Sequence, residues 1–279
     1  MYINLFDSHV HSDNSPEGRD LVTALCSAAV DKGISGICIT DACDMEEFEE
    51  QKYGKRLMYS CFAAHKAQDI FSQQLIVTNG VEMRQPLADP DRAVQVIGEN
   101  RFDFVLGSLH KTRKYGDMMM LNYAHPALDL QDVFRSYYEE LLEVVQWGHF
   151  DSLAHLTYPL RYFEGQHGVL VDLSRFSGLI DAILSEVIIR GRSLEVNSSG
   201  WRQGMGGPLP GRELLERYRK LGGWRITLGS DAHRTADLAA DFVQTRRLLQ
   251  ELGFAGACHY RAREPIFLPF SAEILPRVI

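Results

Sequence analysis

The chain has 279 residues, of which 45% are apolar and 24% charged, with a formal net charge of −8; this is ordinary globular composition, and the length suits one α/β barrel domain over residues 1–279. The acidic balance argues against a general nucleic-acid binder, which presents a basic face, but not against a small phosphate ester held by metal ions and one or two arginines. Five cysteines (Cys26, Cys38, Cys43, Cys61 and Cys258), odd in number and without a Cys-x-x-Cys, argue against a disulfide framework or a zinc ribbon and fit a reducing compartment.

The first residues, Met1 to Asp7, lack the basic region and apolar run of a signal peptide. Nowhere do about 18 apolar residues follow one another, so a soluble, cytoplasmic protein without membrane contact is expected. Short apolar runs then alternate with amphipathic stretches, the pattern of βα units. A first strand is expected over Ile3–Phe6, followed by a helix over Leu21–Asp31 that stops at Gly33, where a left-handed cap suits glycine. Strand Gly36–Ile39 and helix Met58–Ser72 come next, then strand Leu75–Val81, helix Asp91–Glu99 and strand Phe104–Leu106. The segment Lys111–Asp129, rich in methionine and tyrosine, reads as a specificity loop or packed cover. In helix Gln131–Gln146, residues Val133, Phe134, Tyr137, Tyr138, Leu141, Leu142 and Val145 form one buried stripe. Strand Ser152–Ala154, helix Phe176–Arg190, strand Ser193–Val196, helix Arg212–Leu221, strand Ile226–Leu228 and helix Ala236–Leu252 complete the series. Pro265 and Pro269 break up an extended tail.

Seven strands with intervening helices imply a barrel, and the polar residues support that reading because functional groups of barrels sit at the C-terminal strand ends. His9 and His11, Asp41, Glu82, His110, His155, Asn197, and Asp231 with His233 all fall there. In an extended segment, residues two apart face one side, so His9 and His11 can grip one ion, and Asp7 shares their parity and can orient an imidazole. Glu82 can bridge two cations. Asp231 and His233, two apart after the small residues Gly229 and Ser230, form the most telling segment. Together these residues make a mixed N/O donor set that suits Zn, Mn or Fe rather than Ca or Mg. Two such ions about 3.5–4 Å apart clamp a phosphoryl group and supply hydroxide at neutral pH. Arg161 and Arg202, each after a strand end, are placed to bind a phosphate bidentately.

The segments Asp7-Ser8-His9-Val10-His11-Ser12, Ile39-Thr40-Asp41, Gly80-Val81-Glu82, Gly107-Ser108-Leu109-His110, Ala154-His155 and Gly229-Ser230-Asp231-Ala232-His233 stand in the motif order of the PHP (polymerase and histidinol phosphatase) family, which the chain resembles over almost its whole length. The resemblance is to the monofunctional histidinol-phosphatase branch, on Glu195-Val196-Asn197-Ser198-Ser199-Gly200-Trp201-Arg202 and on Tyr162 through the stretch Tyr260–Pro265. It implies a distorted, TIM-like (β/α)7 barrel with two or three metal ions. His9, His11, Glu82 and Asp231 would hold the first ion, Glu82, His110 and His155 the second, and Glu17 and His233 a third. It implies an L-histidinol-phosphate phosphatase, with Asp231 and His233 as the catalytic residues. Another small phosphate ester or a nucleotide is the alternative substrate, and a weakly active regulatory protein on the same barrel is a further alternative.

One departure stands out. Where the family reads Thr-Asp-His at the second strand end, this chain reads Thr40-Asp41-Ala42, so the third ion loses an imidazole unless Asp41, Cys43 or Asp44 turns inward. The expectation is two tightly held ions and a third that is weak or absent.

Overall fold

The computed structural model describes residues 2–123, 125, 128–270 and 273–274. In chain order its elements are β1 (Tyr2–Val10), α1 (Val22–Lys32), β2 (Ile34–Ile39), β3 (Ala42–Asp44), α2 (Tyr53–Phe71), β4 (Ile76–Arg84), α3 (Pro90–Asn100) and β5 (Phe104–Ser108). A small hairpin of β6 (Lys111–Thr112) and β7 (Gly116–Asp117) follows, then α4 (Leu130–Trp147), β8 (Ser152–Leu153), α5 (Ser177–Ile189), β9 (Ser193–Asn197), the short α6 (Ser199–Arg202), α7 (Arg212–Lys220), β10 (Ile226–Gly229) and α8 (Phe242–Glu251). The chain ends in β11 (Gly256–Arg261), β12 (Glu264–Pro269) and β13 (Glu273–Ile274).

Strands β1, β2, β4, β5, β8, β9 and β10 pair in parallel, in that order around the sheet. They are the seven strands expected from the sequence. The two ends of the sheet meet through a parallel bridge between Val10 and Ala232. Two backbone hydrogen bonds secure it, His11 N to Ala232 O at 2.8 Å and Asp231 N to His9 O at 2.9 Å. The result is a nearly closed (β/α)7 barrel, and its closing seam runs through the segments that carry His9, His11, Asp231 and His233.

Apolar faces explain the layers. The helices bury their stripes against the outside of the sheet; in α4 the stripe comprises Val133, Phe134, Tyr137, Tyr138, Leu141, Val144 and Val145, with Leu142 only partly buried. Gly33 ends α1 in the left-handed conformation, at φ 67°. A smaller cluster of Phe6, Cys38, Phe104, Leu106 and Ala154 is completed by Cys258 and Tyr260. Those last two come from β11, so the C-terminal segment is no broken tail. β11 and β12 form an antiparallel hairpin turned at Ala262 and Arg263, both at positive φ (51° and 67°). Its prolines are tolerated because β12 is an edge strand. Tyr260 reaches Ser193 Oγ at 2.7 Å, and His259 stacks on Phe6 at 4.5 Å between centroids. The expected helix from Ala236 begins only at Phe242, because Ala239 and Asp241 adopt positive φ. Among the described residues no helix is long and apolar enough to cross a membrane.

Candidate metal centre

The strand ends converge on a cleft of about 390 Å³ lined by, among others, Glu17, Glu82, His110, His155, Asp231 and His233. At the closing seam, His9 and His11 bring their Nε2 atoms to 3.0 Å of each other. Asp231 Oδ1 lies 3.6 Å from both of those nitrogens. The other ring nitrogens set the tautomers. His9 Nδ1 donates to Glu195 Oε1 at 2.6 Å. His11 Nδ1 lies 3.1 Å from Ser15 Oγ, whose own proton goes to Asp41 Oδ1 at 2.8 Å. With Nδ1 so engaged, each imidazole in its neutral form presents the lone pair of Nε2 to the same point.

Glu82 stands between two groups of histidines. Its Oε2 lies 3.7 Å from His11 Nε2 and 3.9 Å from His9 Nε2. Its Oε1 lies 3.2 Å from His155 Nε2 and 3.3 Å from His110 Nε2, and those two nitrogens are 3.2 Å apart. Two zinc–nitrogen bonds of about 2.0–2.1 Å at a tetrahedral angle put the nitrogens about 3.4 Å apart. The donor atoms of both groups have that spacing, so the residues fit two metal ions with one carboxylate oxygen of Glu82 turned to each. A third group, His11, Glu17 and His233, also comes together. It is looser: Glu17 Oε1 is 3.8 Å from His233 Nε2, and both side chains are about one-third exposed.

Burial sharpens the electrostatics. Burial alone would raise the Glu82 carboxyl, yet the charge of Arg84, with hydrogen bonds from His110 and His155, holds it well below the usual carboxylate range. Asp231 is likewise held well below it, against burial, by His9, His11, Arg161 and His233. Burial pushes His110 down to about 3, against the pull of Glu82, so its lone pair is free. Burial would lower His9 too, but Glu195 and Asp231 drive it well above its ordinary value. His155 and Asp231 also hold positive φ, 21° and 54°, conformations that cost of order 1–3 kcal/mol and concentrate at functional sites.

Some expectations need correction. Asp7 does not orient an imidazole: it accepts from Ser230 N at 2.9 Å, Ser230 Oγ at 2.5 Å and Ala239 N at 2.9 Å. The β1–β2 register shifts between Asp7 and Val10, and such an irregularity breaks the alternation that would have placed Asp7 beside His9. Glu195 takes that task instead. It sits in mid-strand β9, orients His9, and also accepts from His155 N at 2.7 Å. Gly229 leaves room for it, since a Cβ there would lie 2.2 Å from Glu195 Oε1. Asn197 is no donor to the cleft; its amide bonds Glu195 Oε2 and Ser199 N. None of the three residues that might have compensated for Ala42 turns to the third group. Asp41 is spent on Ser12, Ser15 and Ser60, Cys43 is packed in the core, and Asp44 pairs with Lys111 at 3.2 Å.

The arginines separate. Arg161 lines the cleft, donates to Asp231 Oδ2 at 3.0 Å and lies over the Tyr158 ring. Arg202 is exposed, is not brought into the cleft lining, and donates to the Asp231 carbonyl at 2.9 Å. From the segment 111–129, Lys111, Asp117 and Met119 reach the cleft, while residues 124, 126 and 127 lie outside the described residues. Arg84 also lines the cleft, two residues beyond Glu82 on the same strand.

The PHP domain model matches residues 7–199, more than half of the chain. The chain belongs to the PHP family. The match takes in His9, His11, Glu82, His110, His155 and Glu195 but stops before Asp231 and His233, which join the group by geometry. Among PHP relatives, the chain is 27% identical over 260 residues to the histidinol-phosphatase of Lactococcus lactis, covering 89% of this chain and 91% of that one. It is 26% identical over 253 residues to a probable histidinol-phosphatase of Deinococcus radiodurans, covering 89% and 94%. The fold matches the crystal structure of the Lactococcus lactis histidinol phosphate phosphatase in complex with zinc, L-histidinol and phosphate. The TM-score is 0.75 at 21% identity, over 94% of this chain and 99% of that one.

Proposed function

We propose that this chain is a metal-dependent phosphomonoester hydrolase acting on L-histidinol phosphate. The observation that carries the reading is Glu82, whose two oxygens face two separate groups of imidazoles. His9, His11, Glu82 and Asp231 would hold one ion, and Glu82, His110 and His155 the other. The donors suit Zn, Mn or Fe. These residues would hold ions that supply Lewis acidity to a phosphoryl group and to an attacking water near neutral pH.

The chain's own side chains would do the rest. Arg161 offers a guanidinium fork to the phosphate oxygens. His233 binds the Asp231 carbonyl through Nδ1 at 3.0 Å, which leaves Nε2 to take or give a proton at the cleft. Asp231 holds both Arg161 and the first ion's histidines in place. The substrate assignment rests on the relatives' names and on the L-histidinol and phosphate bound in the Lactococcus lactis structure. At the cleft Lys111 pairs with Asp44 and Glu47, and the Asp117 carboxylate beside them suits a substrate that carries an amine. In this reading the protein works in the cytoplasm as one barrel domain on a small molecule, without nucleic acid.

Steady-state kinetics on a panel of phosphate esters tests it. L-Histidinol phosphate should exceed nucleoside monophosphates and p-nitrophenyl phosphate in kcat/KM by about two orders of magnitude, since buried polar groups discriminate strongly. Equal values across the panel would overturn the substrate. No turnover of any ester with Zn, Mn or Fe(II) would overturn the phosphatase.

A further inference from the structure

Glu82 and Arg84 alternate along β4 and therefore share a face. β3 lies beside them in register, Ala42 against Glu82 and Asp44 against Arg84. Registered neighbours point to the same side of a sheet, so a donor at position 42 would enter the space next to Glu82. Alanine brings none. That space is served instead by the Arg84 guanidinium, whose Nε donates to Glu82 Oε2 at 2.5 Å and whose Nη1 ion-pairs with Glu17 Oε1.

The third group is short of donors for the same reason. His11 Nδ1 is engaged with Ser15, and its Nε2 faces His9 and Asp231. One lone pair cannot serve two ions. Glu17 and His233 remain, and Glu17 already carries the charge of Arg84. A guanidinium is permanently protonated, planar and able to bridge two carboxylates.

We propose that Arg84 is a covalently attached cation standing in for the third metal ion, so that this chain builds its centre from two exchangeable ions and one fixed positive charge. Alanine at position 42 and arginine at position 84 then act together: the one leaves the space without a donor, and the other supplies its charge. Arg84 spends two of its five N–H donors on Glu82 and Glu17 and lines the cleft, where its remaining donors can meet an anionic substrate. The inference rests on the metal-centre reading above and specifies its stoichiometry.

The test is zinc bound per folded chain, measured by mass spectrometry of the metal after equilibrium dialysis against buffered zinc. It compares the wild type, Ala42→His and the double variant Ala42→His/Arg84→Ala, with circular dichroism to confirm folding. Two ions are expected in the wild type, two in Ala42→His, because Arg84 still holds Glu17, and three in the double variant. Three ions in the wild type or in Ala42→His would overturn the inference alone, and so would a folded double variant that stops at two. If the double variant does not fold, the first two proteins decide. Fewer than two ions in the wild type would overturn the metal-centre reading and the inference with it.

Discussion

Replacing Glu195 with glutamine isolates what one buried carboxylate does for the centre. The side chain is fully buried and its Oε1 takes the His9 Nδ1 proton at 2.6 Å. Glutamine keeps the shape and one acceptor oxygen for His155 N but removes the charge. A hydrogen bond to a charged group contributes about 1.5–3 kcal/mol, and losing a carboxylate that orients a metal-binding histidine weakens metal affinity by about 10–100-fold, or about 1.4–2.7 kcal/mol. The two ranges agree. The pH dependence adds a sign. In the metal-free wild type His9 is held well above its ordinary value, where Glu195 and Asp231 outweigh burial, so zinc must displace a proton and binding strengthens as pH rises through that raised value. In Glu195→Gln the buried imidazole loses its main partner and sheds its proton at lower pH. The deficit in zinc affinity should therefore be largest at alkaline pH and narrow toward acid. Chelator competition from pH 6 to 9, with thermal unfolding as a control, reads both effects. A folded Glu195→Gln protein with wild-type zinc affinity across that range would refute the role given to Glu195.

Other substitutions probe neighbouring parts of the centre. Glu82→Ala should remove both ions together and abolish turnover, which metal analysis and a phosphate-release assay check; loss of only one ion would mean that Glu82 does not bridge. Arg161→Ala should weaken inhibition by free phosphate by about 10–150-fold, the equivalent of 1.5–3 kcal/mol, whereas Arg202→Ala, whose side chain is exposed and donates to the Asp231 carbonyl, should leave phosphate inhibition nearly unchanged. Gly229→Ala would press a methyl group against Glu195 and His9; overpacking of this kind costs about 1–3 kcal/mol, and it should appear as a lower melting temperature together with weaker zinc binding.

Much of this centre was legible because strand-end positions and alternation are local properties. His9 with His11, and Asp231 with His233, are pairs two residues apart, and the (β/α)7 order follows from short apolar runs separated by amphipathic helices. What was hidden depends on neighbours distant in sequence. Glu195 lies in mid-strand, and its task exists only because β1 closes against β10 beside β9. Asp7 departs from its parity because an irregularity in β1–β2 pairing leaves no mark on the alternation of side chains. The β11–β12 hairpin leaves little trace in the sequence because its turn, Ala262-Arg263, lacks the Asn-Gly type of signal and its prolines read as breaks. Arg84 did leave a trace, since its i, i+2 spacing from Glu82 places both on one face, but its meaning requires Glu17 and Ala42 to be seen together.

The central claim is a pair of metal ions bridged by Glu82, with the phosphate beside Arg161. Anomalous diffraction at the zinc edge, on crystals grown with zinc and phosphate, addresses it most directly. The account predicts two strong peaks flanking Glu82, one among His9, His11 and Asp231 and the other between His110 and His155, with the phosphate in contact with Arg161. A single peak, or phosphate bound away from the Glu82 cleft, would contradict it.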